Sequence, residues 1–274
     1  MSIPGIIYGT AWKKELTQGL VLKALQAGYS AIDTACQPRH YREDLVSEAI
    51  KTAATTLGIQ RKDIFLQTKF TPPGGQDPDT TPYDRNAPLE EQVRQSVDLS
   101  LARFQYLDSL VLHSPLRTHE ATMRVWRVFE EYHQQGVVRM LGISNIYSLK
   151  DLRQLWTDAS VKPRVVQNRF HESTQHDREI RRFCREYNIV YQSFWTLTGN
   201  PEAVRSEPVR RIAAQRNATP EQVFLKFVIQ LGITPLTGTS SETHMRQDLQ
   251  VLSWPDLSKD DIDCISEVFG EPIY

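Results

Sequence analysis

Residues 108–145 read DSLVLHSPLRTHEATMRVWRVFEEYHQQGVVRMLGISN. A short apolar run, "DSLVLH" (108–113), opens the stretch and a second, "VRMLGIS" (138–144), closes it. Between them Val125, Val128 and Tyr132 recur at helix spacing. Neither run alternates cleanly with polar residues, the pattern of parallel strands covered on both faces. The stretch therefore predicts strand, helix, strand. The same alternation continues outward, with further strand candidates at 5–9, 30–33, 64–70, 164–168, 188–194 and 233–237. Helical patterns lie between them, such as Leu89, Val93, Val97, Leu101 and Phe104. The connection before the last strand has room for two helices, about 201–216 and 219–231, the second opened by Thr219-Pro220-Glu221 as an N-cap followed by proline. Eight such units predict an α/β fold with one domain over 1–274, a closed (β/α)8 TIM barrel with its chemistry at the C-terminal strand ends. A doubly wound open sheet would usually carry a Gly-rich phosphate loop, and no G-x-G-x-x-G or P-loop pattern occurs.

Composition narrows the function. Of 274 residues, 40% are hydrophobic and 24% charged, and 32 basic residues nearly balance 33 acidic ones. No global field points to nucleic acid or an anionic membrane, and the expected partner is a small molecule. The three cysteines, Cys36, Cys184 and Cys264, show neither metal spacing nor a disulfide framework, which suits a reducing compartment and predicts no metal. No apolar run approaches the roughly 20 residues that span a bilayer. The opening "MSIPGIIYGTAWKKE" lacks the form of a signal peptide, so a cytoplasmic protein is expected; a monomer is expected as well.

The strand ends are chemically loaded. Strand 2 ends at Asp33, strand 3 at Lys69, strand 4 at His113, strand 5 at Ser144-Asn145, strand 6 at Gln167-Asn168 and strand 7 at Phe194-Trp195. Each alone has a plain reading: Asp33 as a helix N-cap, Lys69 snorkelling from a rim, His113 in a turn, Phe194 and Trp195 as packing. Six coincidences at one topological depth instead predict a reactive mouth. Lys69 alone would also suit a Schiff-base aldolase barrel.

The motifs carrying these residues resemble the aldo-keto reductases, NAD(P)H-dependent carbonyl reductases on a (β/α)8 barrel. They are "YGTAW" (8–12), "AIDTA" (31–35), "LQTKF" (66–70), "DSLVLHSP" (108–115), "GVVRMLGISN" (136–145) and "VVQNRFH" (165–171). The family's catalytic tyrosine usually follows the aspartate by five residues, where this chain has Pro38. Anchoring on "LVSEAI", similar to the family's V-G-E-A-I helix, makes Tyr41 the proton donor and His40 its rival, in a Q-P-x-H-Y-R-E-D loop that resembles a fungal branch. The resemblance implies that Asp33 pairs with Lys69, that Lys69 draws the Tyr41 phenol pKa down, and that His113 binds the carbonyl oxygen. A displaced tyrosine also leaves room for a non-catalytic NADPH-binding sensor or partner subunit.

For the cofactor, the resemblance implies that Ser144, Asn145 and Gln167 hold the nicotinamide carboxamide and that Phe194 stacks on the ring. Thr10, Asp33, Trp195, Gln247 and Asp248 stand beside them. The 2′-phosphate would meet "PLTGTSSETHMRQDL" (235–249), where Gly238 and His244 replace the usual lysine and arginine while Thr239, Ser240 and Ser241 offer hydroxyls and backbone N–H groups. NADPH is expected, with measurable NADH use. Ser114 in place of an aromatic residue and a short tail, "SEVFGEPIY", imply a wide substrate pocket walled by Trp12, Trp195 and the loop 71–88.

Overall fold

The computed structural model describes residues 3–269, and each expected strand is present. They are β1 (Ile7–Gly9), β2 (Ala31–Asp33), β3 (Phe65–Phe70), β4 (Ser109–Leu112), β5 (Leu141–Ser144), β6 (Val165–Arg169), β7 (Val190–Phe194) and β8 (Ile233–Thr237). All pair in parallel in chain order, and the barrel closes where β1 meets β8, Ile7 opposite Leu236 and Tyr8 opposite Thr237. The first six helices are α1 (Thr17–Ala27), α2 (Glu43–Thr56), α3 (Leu89–Phe104), α4 (His119–Gln134), α5 (Leu149–Asp158) and α6 (Arg178–Glu186). After β7 come α7 (Pro201–Val204), α8 (Glu207–Arg216) and α9 (Pro220–Gln230), and after β8 come α10 (Glu242–Gln250) and α11 (Lys259–Glu267).

Burial explains the apolar, non-alternating strands. Helix α4 lays Val125, Trp126, Val128, Phe129 and Tyr132 on the barrel's outer face, and Ile7, Ala31 and Phe65 form an apolar cluster of their own. Gly142 in β5 has a steric cause: a Cβ there would stand 2.8 Å from Val165 Cβ of β6. Thr118, Ser148, Thr219 and Ser258 each cap the helix that follows by accepting a backbone N–H.

One helix expectation is corrected. The segment 201–216 is two helices, broken at Ser206, whose backbone is extended (φ −61°, ψ 157°). Pro208 lacks an N–H, and in a continuous helix its ring would collide with the carbonyl of Val204. Part of the expected C-terminal tail, residues 270–274, lies outside the described residues. Among the described residues no helix is long and apolar enough to cross a membrane.

Candidate active site

The barrel's C-terminal face holds a cavity of about 670 Å³. Asp33, His113, Ser144, Asn145, Gln167 and Phe194 reach it from five different strands or their ends, and Trp12, His40, Tyr41 and Trp195 from the loops. A larger void of about 940 Å³, lined by His176, Asn200 and Phe269 among others, contains none of the strand-end acid and base groups. Size alone therefore does not mark the site.

Beneath the mouth, Lys69 Nζ donates to Asp33 Oδ1 at 2.7 Å, to Asp33 Oδ2 at 2.6 Å and to the Thr34 carbonyl at 2.8 Å. All three ammonium protons are thus engaged, and both side chains are buried. Burial draws the Lys69 pKa down, and Asp33 opposes it. Lys69 does not itself line the cavity, which disfavours a Schiff-base role.

The Tyr41 ring lies with its centroid 5.3 Å from Lys69 Nζ and 6.0 Å from the His113 ring, edge to face. Burial, and then the Asp33 carboxylate, push the phenol pKa above its ordinary value. The expected lowering by Lys69 is therefore corrected: desolvation disfavours the phenolate, and the nearby anion adds to that. His113 Nδ1 is 2.6 Å from the Thr71 hydroxyl. Burial first, then Lys69 and His40, lower the His113 pKa to about 3, so the ring is neutral at physiological pH. His40 stacks on Trp12 with ring centroids 3.6 Å apart, and its carbonyl accepts the Trp12 N–H.

On the opposite side, Ser144 Oγ donates to the Gln167 carbonyl at 2.6 Å, and Asn145 Nδ2 donates to the His113 carbonyl at 2.9 Å. Gln167 Nε2 donates to Asp33 Oδ1 at 3.0 Å. Trp12 and Trp195 are 65% and 53% exposed, and both hold left-handed backbone (φ 64° and 58°), so two strained aromatic residues flank the opening. Thr239 and Asp248 line the far end, where burial raises the Asp248 pKa to about 6.

Other expected residues stand outside the cavity wall. Thr10 is fully buried with its hydroxyl on the Asp33 carbonyl. Ser114 is half-buried beyond the wall. Ser241 caps α10, and Ser240, His244 and Gln247 lie on the turn and helix without lining the cavity. The loop 71–88 is corrected as a wall, because Gln76 donates to the Cys36 carbonyl and Tyr83 to the Thr71 carbonyl, folding it back on its own base.

Several residues escaped sequence reasoning. Thr71, which orients His113, follows β3 in "KFTPP" and reads as loop. Arg169, at the end of β6, holds its guanidinium 3.9 Å from the Trp195 ring centroid. Lys13 Nζ donates to the Gly238 carbonyl at 2.6 Å, and burial lowers its pKa to about 8. The cation missing from the strand 8 turn thus has a neighbour from the β1 loop. Gln67 and Gln192 are amides in the middle of the β3 and β7 runs, and that was the available signal.

Comparison with known proteins agrees with this geometry. The sequence model described as "Aldo/keto reductase family" matches residues 6–201. The chain is 27% identical over 270 residues to the NADPH-dependent codeinone reductase 1-4 of Papaver somniferum, covering 90% of this chain and 79% of that one. It is 26% identical over 247 residues to the glyoxal reductase of Bacillus subtilis, covering 89% and 80%. Among solved structures, an aldo-keto reductase from a Medee basin deep-sea metagenome library superposes with a TM-score of 0.83 at 24% identity, covering 100% of this chain and 94% of that one.

Proposed function

The chain belongs to the aldo/keto reductase family, and on that premise we propose that it reduces an aldehyde or ketone to an alcohol with a reduced nicotinamide dinucleotide, NADPH before NADH. The observation that carries this reading is the convergence of Tyr41 and neutral His113 on one cavity above the buried Asp33–Lys69 pair.

The residues present suit such a dinucleotide. Gln167 Oε1 has no hydrogen bond among the described residues and belongs to the cavity wall, as does the Phe194 ring. At the far end the turn before α10 offers backbone N–H groups at a helix N-terminus, which suits a phosphate. Ser144, Asn145 and Gln167 would hold the carboxamide, Phe194 the ring, and Thr239, Ser240 and Ser241 the phosphate. When bound, the reduced nicotinamide supplies the hydride.

The chain supplies the rest. Tyr41, kept protonated by burial and by Asp33, is the proton donor as charge develops on the carbonyl oxygen. His113 Nδ1 is paired with the Thr71 hydroxyl; in the tautomer in which Thr71 donates, the ring proton is on Nε2 and is the donor for the same oxygen. The Lys69 ammonium, near the Tyr41 ring, stabilises the phenolate left behind, and Asp33 holds it in place.

Oxidation of NADPH and NADH over a carbonyl panel running from glyoxal to fused-ring ketones tests the reading. The cavity predicts turnover that includes bulky, polycyclic ketones, because its wall is open and largely aromatic at the mouth. Turnover confined to small aldehydes would refute the wide pocket. Tight NADPH binding with no turnover across the panel would favour the sensor reading.

A second expectation concerns the 2′-phosphate. Gly238 lines the cavity with no side chain, and His244 is exposed on α10. Gly238→Lys with His244→Arg should tighten NADPH by about one to two orders of magnitude, the effect of one charged hydrogen bond, and leave NADH nearly unchanged. Dissociation constants by fluorescence titration read this directly. Equal tightening of both cofactors would show that the turn does not meet the phosphate.

A further inference from the structure

We propose that Gln67 and Gln192 are positioning residues that hold the second N–H of Gln167 inside the barrel, so that this amide, its NH₂ already turned inward by Asp33, presents only an acceptor to the mouth, an inference that rests on the carbonyl-reductase reading. Both are fully buried, on β3 and β7, and neither lines the cavity.

The argument starts from one charge. Asp33 Oδ1 accepts from Lys69 Nζ at 2.7 Å, from Gln67 Nε2 at 2.8 Å and from Gln167 Nε2 at 3.0 Å. An ionised carboxylate only accepts, so both glutamines must turn their NH₂ groups toward it. Each then directs its second N–H at Gln192 Oε1, at 2.7 Å from Gln67 and 2.9 Å from Gln167. That fixes the Gln192 oxygen, and its Nε2 donates back to Gln67 Oε1 at 3.1 Å. Asp33, Gln67, Gln192 and Gln167 thus form a closed ring of hydrogen bonds joining β2, β3, β7 and β6 across the barrel interior.

The ring has a consequence at the mouth. Both Gln167 N–H bonds are engaged inside the barrel, so the amide presents only an acceptor, Oε1, to the cavity. A free glutamine would offer donor and acceptor alike. The ring therefore makes Gln167 selective for a ligand N–H, the NH₂ end of a nicotinamide carboxamide. Asp33 alone satisfies one of the two N–H bonds of Gln167; Gln192, held in turn by Gln67, satisfies the other.

The test compares NADP⁺ with its 3-acetylpyridine analogue, in which a methyl replaces the carboxamide NH₂. Both are titrated by tryptophan fluorescence without substrate, so the readout is binding and not turnover. Wild type should bind NADP⁺ at least roughly tenfold more tightly, because the analogue leaves Gln167 Oε1 unpaired. In Gln192→Leu only the single bond to Asp33 holds the Gln167 amide, which can then turn its second N–H toward the acetyl oxygen, and the preference should fall to within about twofold. If that variant folds poorly because Gln67 is left unpaired, Gln67→Leu with Gln192→Leu removes both partners, a change that is often near neutral for stability. Its apo unfolding midpoint should be close to wild type while the preference is lost, a split that a merely structural pair would not give. A folded double variant with the wild-type preference would overturn the inference and leave the reductase reading standing. A wild type that binds neither dinucleotide would overturn both.

Discussion

Tyr41→Phe should lower turnover by about two to four orders of magnitude, the usual contribution of a positioned general acid, while dinucleotide binding stays close to wild type. The substitution removes one hydroxyl and keeps the ring that packs edge to face on His113. Burial and Asp33 hold the phenol pKa above its ordinary value, so Tyr41 remains a protonated donor through the neutral range. No nearby group replaces it well. His113 is neutral, with one ring nitrogen tied to Thr71, and His40 lies stacked on Trp12. His40→Ala should therefore cost much less, through a looser Trp12. Turnover at saturating cofactor, alongside a binding titration, separates the two. If His40→Ala proves severe and Tyr41→Phe mild, the proton donor is His40.

Lys69→Met should have the second large effect, and it should reach stability as well as rate. Removing the ammonium leaves the Asp33 carboxylate buried with amide donors alone, and breaking a buried pair in this way costs about 3–5 kcal/mol. Turnover should fall with it, since the phenolate loses its cation. Adding Asp33→Asn should restore most of the stability, because no unpaired charge remains, yet leave the protein inactive. Urea unfolding with a turnover assay reads both halves. Wild-type stability in Lys69→Met would mean that the pair carries no charge in the folded barrel.

The fold was legible because a barrel strand announces itself twice, by an apolar run and by a reactive residue at its end. Asp33, Lys69, His113 and Gln167 could be located from those ends, and they converge in the folded chain. What could not be read were contacts whose partner lies far along the chain. Thr71 meets His113 over 42 positions and Gln67 meets Gln192 over 125, so neither leaves a local pattern. The loop 71–88 misled for a related reason, since its polar composition marks a loop but not the direction in which it folds. Pro208 was readable in principle, because a proline at that spacing forbids one continuous helix over 201–216.

The seam between β1 and β8 also sets a schedule for synthesis. Strand β1 ends at Gly9, but the partner for its outer edge is complete only at Thr237. At a translation rate of about 5–20 residues per second, the interval between them is roughly ten to fifty seconds. Any sheet that β1 joins before β8 is made has a first edge with backbone donors and acceptors without a neighbour, the condition that invites pairing with another chain. A strand of three residues, Ile7–Gly9, presents little template for such pairing. The shortness of β1 thus limits what the seam edge offers to another chain until β8 covers it.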